Sequence, residues 1–351
     1  MTHLCGLLLS AMLASYQVSV AQCEADPTGQ KDSTSAFVKC LDKLPAGDVI
    51  VPYGRYRITG TIVLNRNQNL IGMGSKASVL KCESTKSPCI VAADVDGGIN
   101  NYSVSHIENL GIEGPGSSNT SIGIYLGGDP AGVINAKNSF ADSVNLVAVR
   151  VLGFNHGVQW GNNAYVNKIV RSLIFENDVG LYAPPGLKNS GEAISISDST
   201  IFNNKTNGIE DHANFEWMIQ DSSFDYNTTA IQFYGSVIHA INCHFEQNRG
   251  QVFFQPWGNA SLSIRDSEIL IQASTGPGEQ DDKYILSTWP QALNLVVDNV
   301  NIWSNHAVRY FMRRQGNITG AVTNLHGNGN RKIGAFSDDA AKTALKQSEA
   351  F

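Results

Sequence analysis

A short hydrophobic stretch, alternating with polar residues and closed by an asparagine, recurs through the middle of the chain. VLGFN ends at Asn155, IFEN at Asn177, IFNN at Asn204, FDYN at Asn227 and FEQN at Asn248, with spacings of 22, 27, 23 and 21 residues. Three to five residues after each asparagine comes a second apolar position: Val158, Leu181, Ile209, Ile231 and Val252. A third stretch precedes the later ones, in ISIS (194–197), MIQ (218–220) and HAIN (239–242), and LSIR (262–265) continues the series. Three short strands per repeat predict an all-β solenoid, a single-stranded parallel β-helix whose coils stack at about 4.8 Å. The asparagines then form a structural ladder, because Asn tolerates left-handed turns and its amide bonds to like residues above and below.

Alternation sorts the side chains of the strand before each asparagine. Ile201, Phe224, Phe245 and Ile269 point inward, as do Ser199, Ser222, Cys243 and Ser267. Thr200 and Phe202, Ser223 and Asp225, His244 and Glu246, and Glu268 and Leu270 then point outward. On adjacent coils this sets Asp225 beside Glu246 and Ser223 beside His244. Two stacked carboxylates suit glycosidic chemistry, because repulsion between like charges keeps one protonated while its neighbour is ionised. Asp225 and Glu246 are therefore the candidate catalytic pair, with His244 positioned to hold either. The same cluster also reads as a solvated acidic face or a cation site. Ser223 and Tyr226 are candidate substrate contacts.

The strand after the asparagine offers a second outward set: Glu210 and His212, Gln232 and Tyr234, then Phe253 and Gln255. Glu210, His212 and Gln232 offer hydrogen bonds to a sugar, and Tyr234 and Phe253 offer flat faces. The alternation does not say whether the two sets share a groove. Glu192 closes an insertion (183–192) in the 27-residue repeat and is a further candidate carboxylate, since loops on solenoids carry function. Trp217 belongs to the inward set, Trp160 and Trp257 fall near turns, and Cys243 reads as a small buried hydrophobe. No zinc-ligand spacing and no phosphate-binding loop is present.

Upstream, DSTSAFVKCLDKL (32–44) predicts a helix with Asp32 or Ser33 as N-cap and Ala36, Phe37, Cys40 and Leu41 on one face. Such a helix would cover the open first turn of the coil. The run from ADPTGQKDSTSAF through VIVPYGRYRI to LIGMG resembles the N-terminal part of the pectate-lyase-like superfamily of right-handed parallel β-helices. The resemblance rests on Asp32, Thr34, Ala36, Pro52, Gly54, Tyr56, Gly72 and Gly74. It implies a right-handed coil with an N-terminal capping helix, and places the chain among secreted and phage-tailspike polysaccharide depolymerases. The same scaffold also carries lyases, hydrolases, epimerases and adhesins, so the resemblance speaks for fold more than for activity.

Composition narrows the class. Hydrophobic residues make up 42% of the 351 and charged residues only 16%, with 33 glycines, a balance that favours strands and turns. The net charge of −6 gives no global basic field, which argues against nucleic-acid or membrane-surface binding. The apolar run Leu4–Leu13, followed by Ser19, Val20 and Ala21, predicts a signal peptide over 1–21, then a coil domain over 22–335 and a polar helix or tail over 336–351 starting near Ser337. In an oxidising compartment Cys23, Cys40, Cys82 and Cys89 would form two bridges. Three pairings are open, and Cys23–Cys40 with Cys82–Cys89 is the one nearest in sequence.

The expectation is a secreted or periplasmic enzyme that cleaves a polysaccharide, by hydrolysis ahead of lyase chemistry, with a non-catalytic carbohydrate-binding coil as the alternative. No cofactor or metal is expected for a hydrolase. A lyase would need Ca²⁺ or arginine to neutralise the uronate and His244 or Tyr226 as base. A monomer is expected, with a homotrimer as the alternative.

Overall fold

The computed structural model describes residues 16–94, 105–128, 139–271, 284–288, 292–304, 310–313, 317–328, 335–337 and 346–347. Each coil runs through three short strands, and every ladder between coils is parallel. The coil Ile194–Ser197, Thr200–Phe202 and Asn207–Asp211 pairs strand for strand with Glu216–Gln220, Ser223–Asp225 and Thr229–Phe233. The next coil, Val237–Ile241, His244–Glu246 and Phe253–Gln255, continues all three ladders. These are the long parallel sheets of a parallel β-helix. Farther along, Leu293–Ser304 and Ile318–Asn328 each run unbroken from the first ladder into the second.

The corners between ladders follow from residue type. Asp198, Asp221, Asn242 and Asp266, with φ of 50°, 50°, 52° and 49°, turn the chain from the first ladder to the second. Asp and Asn tolerate this left-handed backbone better than other non-glycine residues. The next residue is buried: Ser199, Ser222, Cys243 and Ser267 are all at most 4% exposed. Their side chains tie coils together, as where the Ser199 amide donates to Ser222 Oγ at 3.2 Å and the Cys243 amide to Ser267 Oγ at 3.1 Å.

The asparagine ladder occupies the second corner. Asn177 Nδ2 donates to Asn204 Oδ1 at 3.2 Å, Asn204 to Asn227 at 2.9 Å and Asn227 to Asn248 at 3.3 Å. Two details differ from the sequence reading. The left-handed residues are those just before the ladder, Glu176, Asn203, Tyr226 and Gln247, and the asparagines themselves serve as hydrogen-bond bridges. Asn155 lies outside the ladder: Phe154 donates its amide to Asn177 Oδ1, and Asn155 Nδ2 turns to Asp178. Asn204 and Asn227 are fully buried, so their N-x-Ser/Thr matches are not glycosylation sites in the folded chain.

The core is the row of inward side chains. Phe224 stacks on Phe245 at 5.6 Å, and Phe245 meets Phe253 at 5.0 Å. Trp160 and Trp217 cross edge to face at 5.3 Å, and each ring nitrogen has an acceptor, Asn167 Oδ1 for Trp160 and Asp211 Oδ2 for Trp217. Both tryptophans are therefore core.

At the N-terminal end, helix α1 spans Thr34–Lys43 and buries Ala36, Phe37, Cys40 and Leu41, with Phe37 against Tyr56 at 5.6 Å. Asp32 Oδ1 accepts from the Thr34 amide at 3.0 Å, and Gln68 Nε2 serves the carbonyls of Leu41 and Leu44 at the other end. Disulfides join Cys23 to Cys40 and Cys82 to Cys89, the pairing nearest in sequence. The expected boundary after Ala21 falls inside this folded region. Gln17–Ser19 is a strand paired with Asp48–Ile50, and Val20 is fully buried. At the other end, over the stretch expected as a polar helix or tail (336–351), the described residues Ala335–Ser337 and Lys346–Gln347 are strands. Residues 338–345 and 348–351, and the apolar run Leu4–Leu13, lie outside the described residues.

Candidate functional site

The outward face of the second ladder carries the stacked carboxylates. Register places Phe202, Asp225, Glu246 and Leu270 in one row, and Thr200, Ser223, His244 and Glu268 in a second. Ser223 Oγ lies 2.7 Å from both oxygens of Asp225 and donates to that carboxyl group. His244 bridges two coils, with Nε2 3.4 Å from Glu246 and Nδ1 3.2 Å from Glu268. Gln247 Nε2 donates to Glu246 Oε1 at 2.9 Å. Tyr226, which is 41% exposed, stands at the edge and interacts with Glu246. One ligand atom each of Asp225, His244 and Glu246 lies within 4.8 Å of the others.

Burial raises the Asp225 pKa; the Ser223 hydrogen bond and the His244 charge oppose this, Glu246 adds to it, and the net value is raised. Asp225 thus has a raised proton affinity and stands beside a second carboxylate on the next coil. The row is flanked by apolar surface on both sides. Phe175 stacks on Phe202 at 4.7 Å, with Arg150 over the outer face of Phe175, and Trp303, 46% exposed, follows Leu270. Glu268, Phe175, Phe202 and Trp303 were missed as site residues, although the phase that identifies Asp225 also points each of them outward.

The third ladder holds Glu210, His212, Gln232 and Tyr234, on a different sheet. Glu210 Oε1 lies 2.6 Å from His212 Nε2, its Oε2 accepts from Asn207 Nδ2 at 2.6 Å, and Gln232 Nε2 donates to the Tyr234 hydroxyl at 3.0 Å. No hydrogen bond among the described residues joins this set to Asp225 or Glu246, so the two sets are separate clusters. Phe253 does not belong to it. The turn after Asn248 has one residue more than the turn after Asn227, so Phe253 pairs with inward Ile231 and is fully buried, and Phe254 takes the outward position. Gln255 is buried for the same reason. Glu192 is exposed in the turn before Ile194–Ser197, at the far end of that strand from the corner leading to the carboxylates. The Cys243 thiol, pushed up to about 11 by burial, is a structural group.

Stacked coils joined by parallel ladders define a parallel β-helix. The rhamnogalacturonase A/epimerase, pectate lyase-like family matches residues 17–232, more than half of the chain, and the protein belongs to that family. Among solved structures it is similar to DFA-IIIase from Arthrobacter chlorophenolicus A6 without its lid, with a TM-score of 0.67 and 12% identity over 96% of this chain and 100% of that one. The enzymatically active domain of tailspike protein 4 from bacteriophage CBA120 gives a TM-score of 0.67 and 16% identity, over 91% of this chain and 44% of the tailspike chain. The catalytic unit of α-1,3-glucanase from Streptomyces thermodiastaticus gives 0.58 and 14%, over 95% and 68%. At these identities the likeness is one of fold.

Proposed function

We propose that the protein is an exported enzyme that hydrolyses glycosidic bonds of a polysaccharide, with Asp225 as general acid and Glu246 as nucleophile. The observation that carries this reading is the pair itself: two carboxylates on adjacent coils, with oxygens within 4.8 Å and burial raising the pKa of one. Retaining glycosidases set their carboxyl groups about 5–5.5 Å apart and inverting ones about 6.5–9.5 Å, so the spacing favours retention. Glu246 attacks the anomeric carbon while Asp225 protonates the departing glycosidic oxygen. Asp225, now a carboxylate, then takes a proton from the water that releases the sugar. His244 holds Glu246 in place, and the rings of Phe202 and Trp303 offer platforms for sugars on either side. The family, and the glucanase and DFA-IIIase among its fold relatives, support a glycan substrate.

A lyase is the second reading, favoured by one observation: Asp225, His244 and Glu246 converge closely enough to hold a divalent cation. Ca²⁺ prefers six to eight oxygen ligands, and a trio containing an imidazole fits it poorly. The deciding experiment incubates the protein with neutral and uronate polysaccharides and follows chain length by size exclusion and absorbance together. Shortened chains without new ultraviolet absorbance support hydrolysis. New absorbance that disappears with chelator supports the lyase, and no shortening at all leaves a carbohydrate-binding coil.

Export is supported by the two disulfides, and no described helix is long and apolar enough to cross a membrane. A leader that ends before Gln17 preserves the strand Gln17–Ser19. We read α1 as the cover of the first turn of a right-handed coil, from its apolar face on Tyr56, and the protein as acting as a monomer, with a homotrimer as the alternative.

A further inference from the structure

The third corner of the coil joins Phe253–Gln255 to Ala260–Arg265 and stands apart from the carboxylate row on the second ladder. Its sequence is PWGNAS (256–261), in which Asn259, Ala260 and Ser261 match the acceptor pattern N-x-Ser/Thr. Asn259 is exposed, unlike Asn204 and Asn227, and its Oδ1 accepts from the Ala292 amide at 3.2 Å. That bond uses the oxygen of the amide and leaves Nδ2, the atom to which a glycan is joined, without a partner among the described hydrogen bonds.

Two residues before the asparagine stands Trp257, 58% exposed although tryptophan is highly buried on average. Gly258 between them has a φ of +80°, and a Cβ there would come within 1.6 Å of the Tyr234 carbonyl oxygen on the coil before, so the turn admits only glycine. The Gly258 carbonyl accepts from Gln255 Nε2 at 2.5 Å, and Gln255 is itself fully buried. Tyr234 and Gln255 therefore fix a turn that holds an indole and an acceptor amide side by side at the surface.

We propose that Asn259 carries an N-linked glycan in the exported chain, and that the Trp257 ring is the platform for its first N-acetylglucosamine. In the transfer, Asn259 Nδ2 attacks C1 of a polyprenyl-diphosphate-linked oligosaccharide. The C–N bond forms, the C1–O bond breaks with its electron pair leaving on the diphosphate, and the amide gives up one proton. The apolar face of the first sugar ring then covers indole surface that is otherwise in water. Asn317, Ile318 and Thr319 form a second exposed match two coils along at the same corner, but Gln315 holds the place two residues before that asparagine. Asn317 is thus an internal control. The proposal rests on export through a eukaryotic secretory route and is independent of what the second ladder cleaves.

The full chain, directed through the secretory pathway of a eukaryotic host, gives the test. Peptide mass spectrometry should find Asn259 glycosylated and Asn204 and Asn227 bare. Trimming the glycans to a single N-acetylglucosamine should leave the melting temperature unchanged, whereas Ser261→Ala, which removes the glycan and keeps Asn259, should lower it by about 2 °C. In a Trp257→Ala background Ser261→Ala should lower it by less than half as much, while the effect of Asn317→Gln should not depend on Trp257. An unglycosylated Asn259 overturns the proposal, and so does an equal loss from Ser261→Ala in both backgrounds. Both readouts stand whether or not the protein cleaves any glycan.

Discussion

Burial raises the proton affinity of Asp225, Ser223 and His244 lower it, and the balance stands above the ordinary carboxyl value. As general acid, Asp225 should then set the alkaline limb of the pH–rate profile, and that limb should fall at a higher pH than an ordinary aspartate would give. Ser223→Ala removes a hydrogen bond to the ionised form, so the limb should move to still higher pH; an unmoved limb assigns the acid to another group. Asp225→Asn and Glu246→Gln should each lower kcat by about 10²–10⁴-fold, measured on whichever polysaccharide the protein shortens. Stability should respond with a definite sign. A carboxyl whose folded pKa is raised supports folding below its unfolded pKa and loses that support as pH rises through the folded value. At neutral pH Asp225→Asn should therefore melt at or above the wild-type temperature, and a clear fall would mark the carboxylate as structural. Asp225, Glu246 and His244 were legible in the sequence because the inward phenylalanines fix the phase of their strands. Phe253 was misplaced because one added residue in a turn reverses the phase and leaves no compositional trace.

The element that holds coil to coil is the asparagine ladder, and its geometry gives a stability test. Asn227 Nδ2 donates to Ile201 O at 3.0 Å and to Asn248, while its Oδ1 accepts from Asn204. Asn227→Ala leaves buried partners unsatisfied, so denaturant unfolding should show a loss of about 1–3 kcal/mol. A change under about 0.5 kcal/mol would mean that the ladder is dispensable at this coil. The N-terminal strand gives a second test. Gln17–Ser19 extends the first ladder, so N-terminal sequencing of exported protein should find Gln17 retained; a mature chain starting at Gln22 would remove a strand from the fold. The repeat was legible because each coil needs the same turn chemistry. A boundary after Ala21 competes with the fold because small residues suit a cleavage site and a tight 3-10 turn equally well, and Val20–Cys23 forms such a turn.

For the molecule as a whole, three ladders give three outward faces on one continuous core. The parallel coil was legible from the period alone, and α1 from its amphipathic pattern. The separation of the two polar clusters was not, because alternation reports which residues point outward and says nothing about which ladder faces which way.

The second corner has a consequence for how such a chain can be rewritten. Asn204 and Asn227 hold equivalent places in the ladder, and each opens a turn into the third ladder, the turn after Asn204 being one residue longer. Excising residues 205–227 and rejoining Asn204 to Thr228 would remove one whole coil and leave its neighbours in phase. Glu246 would then lie against Phe202 where Asp225 had been. A shift of one residue scrambles inside and outside, whereas the loss of a full coil transposes one surface row against another, so this architecture can exchange its chemistry by whole coils while its interior stays in frame.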